Sequence, residues 1–144
     1  MKNFVFHAVI EAGDRNGVVV SFPDVPEAIT QADNARDATA MAEEALGLAL
    51  LTYPARGLPL PKAKARRRGM VPVAVAPDVA AKLAVLEAFR EAKITKAELA
   101  RRIGKDEKEV RRILDPRHAT KIAALTQTLH ALGRRLVIAV EKAA

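Results

Sequence analysis

Ile94 to Asp115 reads ITKAELARRIGKDEKEVRRILD. Thr95 is followed three residues later by Glu98, the spacing of a capping box, which predicts a helix start. Leu99 and Ile103 recur at i and i+4 and point inward, and Gly104 suits the turn that ends such a helix. A second helix is predicted from about Asp106 to Leu114, with Val110, Ile113 and Leu114 apolar, stopping before Pro116. Two short helices joined through glycine form the pattern of a helix-turn-helix, and Ala100 is small where the two would cross. A generic helical hairpin would satisfy helix–glycine–helix alone. The capping signal, the small alanine and the basic second helix together favour DNA binding.

In that reading the second helix lies in the major groove of operator double-stranded DNA, its first residues nearest the base edges. Lys105, Lys108, Arg111 and Arg112 cluster on or beside it. Lys108 and Arg111 are the candidates for base contacts, and Glu107 can accept from cytosine. Lys96, Arg112, Arg117 and His118 are placed for phosphates. Arg101 and Arg102 can instead pair with Glu98 or Glu107 on the surface.

The flanking sequence supplies the rest of a helical domain over residues 77–144. Asp78 can cap a helix whose Val79, Leu83, Leu86 and Phe89 recur with helical spacing. A further helix is predicted from about Thr120 to Leu132, aligning Ile122, Leu125, Leu129 and Leu132, with Gly133 just past its end. Residues 136–140 (LVIAV) read as a short β-strand apolar on both faces. An isolated strand needs a partner. Pairing with its own copy predicts a homodimer through Leu136, Val137, Ile138 and Val140.

Residues 1–76 have a different character. The apolar runs 4–10 (FVFHAVI) and 18–22 (VVVSF) flank a turn-rich segment in which Asn16-Gly17 offers positive-φ positions, a hairpin signal. Pro23 and Pro26 bracket Asp24 and stop the second strand. Residues 28–31 form a third short strand, and Asn34 is a candidate N-cap for the next helix. Its stripe is Ala38, Met41, Ala42, Ala45, Leu46, Ala49 and Leu50. The prolines between Tyr53 and Pro61 predict an irregular stretch, and Val71 to Val75 can complete the sheet. The class is α+β: a small antiparallel-type sheet with one helix, then an all-α helix-turn-helix domain ending in a short strand. A basic linker at about 62–70 joins them. Its core, KAKARRR at 62–68, suits either a solvated linker or a contact to the DNA backbone.

Charge divides along the same line. Residues 1–61 hold four basic side chains against eight acidic ones, 62–68 hold five basic ones, and 69–144 hold fifteen against nine. A basic module attracts polyanions by counterion release. Cysteine is absent, which fits a reducing compartment. No signal-peptide core and no apolar stretch of about 18 residues is present, so a soluble, cytoplasmic protein with no membrane partner is expected. His7, His118 and His130 lack metal-ligand spacing, and turn and capping roles explain Asp24 and Asp33. No Gly-rich phosphate loop or nucleophile elbow occurs. The expectation is no cofactor, no metal and no enzymatic activity.

Ser21-Phe22-Pro23-Asp24-Val25-Pro26, then Ala28-Ile29-Thr30-Gln31, Asp33 and the helix beginning Ala35-Arg36-Asp37-Ala38, resemble the N-terminal domain of HicB-type antitoxins. Residues 58–61 (LPLP) and 71–75 (VPVAV) look like that domain's closing segment, and residues 97–122 resemble the helix-turn-helix that many members append. The resemblance covers nearly the whole chain. It implies a partial RNase H-like N-terminal domain that binds a HicA-like toxin, a small mRNA-cleaving ribonuclease. It also implies a C-terminal domain that represses the operon from its operator. Phe22, Pro23, Asp24 and Pro26 are the candidate toxin contacts. Glu27 stands where the family commonly has glycine after the second proline, and Ala32 where glycine often precedes Asp33. RNase H-type chemistry needs carboxylates converging on metal ions, and runs 4–10 and 18–22 contain none. The alternative is a stand-alone DNA-binding regulator whose N-terminal domain senses a ligand or protein.

Overall fold

A computed structural model describes residues 1–143. The chain divides into two compact units, one spanning Met1–Ala80 and the other beginning at Ala81. The first is α+β and the second is helical, as the residue patterns predict.

In the first unit, strands β1 (Val5–Ala12), β2 (Val18–Ser21), β3 (Ile29–Ala32) and β4 (Val71–Ala74) form one sheet in the order β3-β2-β1-β4, every pairing antiparallel. Helix α1 (Ala38–Ala55) lies between β3 and β4 in sequence and packs on β2, β3 and β4. The register aligns Phe6 with Val73, Ala12 with Val18, and Val18 with Ala32. Side chains alternate across a strand, so Phe6, Ala8, Val20, Ala32 and Val73 share one buried face. Ala38, Ala42, Leu46, Ala49 and Leu50 of α1 are buried as expected, while Met41 is 37% exposed.

Three local readings are corrected. Asn34 does not cap α1. Its Oδ1 accepts the Asp37 N–H at 3.0 Å, so it opens the turn ahead of the helix. Helix α1 also runs through Pro54 to Ala55, where an irregular stretch was predicted. Proline is tolerable there because the helix is already closing. Gly57, at φ 68, lets Leu58 N–H reach Tyr53 O at 2.9 Å and its own N–H reach Pro54 O at 3.0 Å, a Schellman closure.

The hairpin between β1 and β2 forms, yet Gly17 is not its positive-φ residue. Arg15 (φ 52) and Asn16 (φ 67) take that role, while Gly17 is extended at φ −77. Glycine is needed at 17 for space: a Cβ there would sit 2.8 Å from Ala32 O and 3.0 Å from Asp14 O.

The second unit contains α3 (Lys96–Ile103), α4 (Glu107–Ile113), α5 (Ile122–Ala131) and most of α2 (Pro77–Ala92), which runs across the division between units. Its core joins Ala81, Val85 and Ala88 of α2 to Leu99, Ala100, Ile103, Val110, Ile113, Leu125 and Leu129. Phe89 packs partly on this core, and Leu83 and Leu86 are buried as well. The predicted strand over residues 136–140 does not form within the chain. Strand structure needs a hydrogen-bonded neighbour, and none of the strands among the described residues pairs with this segment.

Replacing Gly17 with Ala is expected to destabilise the protein by about 1–3 kcal/mol despite its ordinary φ, because the added methyl presses on backbone that cannot swing aside. Urea unfolding of the Gly17→Ala variant measures this. Wild-type stability would show that the hairpin and β3 separate without cost.

Candidate nucleic-acid interface

Helices α3 and α4 are short, so their ends dominate their stability. Thr95 Oγ1 accepts the Glu98 N–H at 3.1 Å, and Asp106 Oδ1 accepts the Glu109 N–H at 2.8 Å. Each satisfies one otherwise unpaired N-terminal donor. The capping box is only half formed, because the Glu98 carboxylate turns along the helix instead. Arg101 donates to it at 2.6 and 2.9 Å and Arg102 at 3.1 Å. Those bonds, Arg101's first, hold Glu98 down to about 2. Arg101 and Arg102 are thus engaged on the surface, as one of the sequence alternatives had it. Gly104, at φ 66, closes α3 by sending Lys105 N–H to Ala100 O at 3.0 Å. Helix α4 begins three residues after Gly104, at Glu107.

This turn brings most of the predicted DNA-contacting residues together. Lys105, Lys108 and Arg112 line one shallow, open depression with Asp106 and Glu109. Arg111 lies 4.0 Å from Glu107 and Arg112 3.4 Å from Glu109, all on α4. Exposed pairs of this kind are worth little in water, so phosphate or a base edge can displace them. Arg117 and His118 occupy the turn after α4, where Asp115 Oδ1 accepts the Arg117 N–H at 2.9 Å and Asp115 O accepts the His118 N–H at 3.1 Å. Lys96 stands apart, as the first residue of α3, and is exposed.

Sequence reasoning missed the residue that fixes the far end of α4. Lys82, on α2, is only 4% exposed. Its Nζ donates to Ile113 O at 2.7 Å, Thr120 Oγ1 at 2.6 Å and Arg112 O at 3.3 Å. Three donors meet three acceptors, two of them carbonyls at the negative end of the α4 dipole. Burial pushes the ammonium down to about 8, with Asp115 pulling it back up. The signal was present in the pattern: Lys82 sits three and four residues before Val85 and Leu86, inside the apolar face of α2. Helix α5 closes the other end of α3, since Gln127 Nε2 donates to Ile103 O at 3.3 Å.

In the first unit, the candidate toxin contacts separate into buried and exposed members. Phe22 is 2% exposed and Val25 fully buried, so both anchor the turn in the core. Pro23 and Pro26 are exposed. Asp24 is half-buried, and its Oδ2 accepts the N–H groups of Lys64 at 2.8 Å and Ala65 at 2.6 Å. Glu27 accepts the Tyr53 hydroxyl at 2.6 Å, tying this turn to the end of α1. Burial, then that bond, pushes the Tyr53 hydroxyl up to about 12, and the same bond lowers Glu27.

The motif and the fold that carries it can be set beside known proteins. Residues 6–84 match the family described as HicB_like antitoxin of bacterial toxin-antitoxin system. The chain is a member of the HicB-like antitoxin family. The likeness extends past the family match. It is 38% identical over 143 residues to Antitoxin HicB 1 of Photorhabdus laumondii, covering 98% of this chain and 90% of that protein. Antitoxin HicB of Escherichia coli K12 is 39% identical over 122 residues, covering 83% and 87%. Antitoxin HicB of Pseudomonas fluorescens is 31% identical over 141 residues, covering 96% and 97%. Both units therefore share ancestry with curated antitoxins, and this HicB-like chain has the role of an antitoxin in a toxin–antitoxin system. No helix among the described residues is long and apolar enough to cross a membrane.

Replacing Lys82 with Met is expected to cost about 1–3 kcal/mol at neutral pH by stranding the Ile113 carbonyl and removing a donor from Arg112 O and Thr120 Oγ1. The pH profile distinguishes this from a simple packing loss. The folded-state value near 8 lies below the ordinary 10.5, so between them the unfolded chain holds the extra proton and wild-type stability rises with pH. The variant should lack that rise. Parallel profiles from urea unfolding at pH 7 to 10.5 would contradict the assignment.

Proposed function

We propose that this chain neutralises a HicA-like, mRNA-cleaving ribonuclease toxin and represses its own operon by binding operator DNA. The observation that carries the reading is the likeness to curated antitoxins across both units, joined to a basic α4 capped at both ends. The first unit is proposed to meet the toxin. Its residues 1–61 are net acidic, which suits a basic RNA-cleaving partner. Pro23, Asp24 and Pro26 form the contact, and Phe22 supports it from the core.

The second unit is proposed to be a DNA-binding helix-turn-helix with α4 in the major groove. Lys108 and Arg111 read bases with Glu107. Lys96, Lys105, Arg112, Arg117 and His118 hold phosphates. Two copies pair through the tail, where Val137, Ile138 and Val140 are 55%, 61% and 96% exposed and Leu136 packs partly on the helical core. A homodimer would present two α4 helices to half-sites about one DNA turn apart. The protein acts by binding alone, without a cofactor, and works in the cytoplasm.

Tagged expression of this chain with its neighbouring open reading frame tests the partner. A small basic protein should co-purify and should arrest growth when expressed alone. No partner, with operator binding intact, would point to a stand-alone regulator. For the DNA arm, Arg111→Ala should weaken operator binding by about 1–3 kcal/mol while sparing random duplex. Equal loss on both would reassign Arg111 to a phosphate.

A further inference from the structure

We propose that residues 62–68 form an anchored basic strap on the N-terminal unit that binds the phosphate backbone of duplex DNA without reading its sequence. This deepens the operator reading, from which it takes the choice of duplex DNA. Composition alone leaves the segment KAKARRR open to being a mobile, solvated linker. The structure holds it in place. One carboxylate oxygen of Asp24 accepts two consecutive backbone N–H groups, Lys64 at 2.8 Å and Ala65 at 2.6 Å. Hydrogen bonds to an ionised acceptor are about twice as strong as neutral ones.

The anchor is itself rigid. Phe22 and Val25, on either side of Pro23 and Asp24, are buried. Val25 N–H reaches Phe22 O at 3.0 Å and Ala28 N–H reaches Val25 O at 2.9 Å, closing two successive turns. At its other end the strap finishes in a turn, Met70 N–H to Arg67 O at 3.1 Å, just before β4 begins at Val71.

The charges the strap carries are uncompensated. Lys62, Lys64, Arg66, Arg67 and Arg68 are all exposed, and none forms an ion pair among the described residues. The arginines of α3 and α4, by contrast, lie beside glutamates. Asp24, the acid that touches the strap, is committed to backbone donors. Five exposed cations in seven residues, on a head otherwise net acidic, suit a polyphosphate. Residues 62–70 contain no aromatic ring on which an unpaired base could stack, which favours a duplex backbone over a single strand.

The test uses the full-length chain against random duplex, the upstream duplex of its own operon and single-stranded RNA of equal length, each titrated with NaCl. The variants are K62Q/K64Q/R66Q/R67Q/R68Q and Asp24→Asn. The five-fold variant should lower the magnitude of the slope of log K on log[salt] by up to about 4.5 on both duplexes, at roughly 0.9 per phosphate contact. Asp24→Asn keeps the five cations but loosens their array, and should weaken both duplexes several-fold with a nearly unchanged slope. Equal slopes for wild type and the five-fold variant would overturn the strap. So would a loss confined to RNA. Wild-type protein that does not prefer the upstream duplex would instead defeat the operator reading, while the random-duplex slopes would still decide the strap.

Discussion

A helix of seven residues has fewer internal hydrogen bonds than loose ends, since four donors and four acceptors at its termini lack helical partners. Isolated helices of under about 12 residues are marginal in water. Helix α4 is such a helix, and the proposed DNA contacts depend on it. Two of its residues, Val110 and Ile113, are buried in the helical core. Asp106 satisfies an N-terminal donor, and the Lys82 ammonium gathers the carbonyls of Arg112 and Ile113. The lysine reaches from α2 and also holds Thr120, ahead of α5. One buried side chain thereby ties α2 and the entry to α5 to the C-terminal end of α4, the helix that would touch DNA. Burying a charge is costly unless it is matched, and here every ammonium hydrogen has an acceptor.

The N-terminal unit solves a similar problem with the opposite charge. A run of prolines, lysines and arginines has little to fold around. Asp24 supplies an ionised acceptor for its backbone donors, while Phe22 and Val25 fix Asp24 from beneath. Glu27 accepts the Tyr53 hydroxyl and ties the same turn to α1. In both units a single charged side chain orders polar backbone that no sheet or long helix includes. The surfaces so ordered are the ones proposed to meet partners.

Much of this was legible along the chain. Thr95, Asp106, Gly104 and Gly133 act within a turn of themselves, so their spacing alone placed the helix ends, and the structure puts Gly104 and Gly133 at positive φ. The apolar runs 4–10 and 18–22, the short segment 28–31 and the closing run 71–75 placed all four strands. The misses involve partners distant in sequence or local competition. Lys82 acts across thirty-one residues on Ile113, and Asp24 across forty on Lys64. Gly17 is demanded by the carbonyl of Ala32, which hairpin chemistry does not foresee. Pro54 reads as a helix stop, yet the Gly57 closure lets the helix absorb it. The tail strand was inferred from apolarity alone and finds no partner within the chain.

The proposed division of labour between the units is the central claim, and one paired measurement in cells addresses it most directly. Lys108→Ala/Arg111→Ala protein would be co-expressed with the neighbouring toxin candidate while a reporter reads the operon's own promoter. Growth should be protected as by wild type, and the reporter should be released from repression. Loss of protection together with repression, or repression that survives both substitutions, would contradict that division.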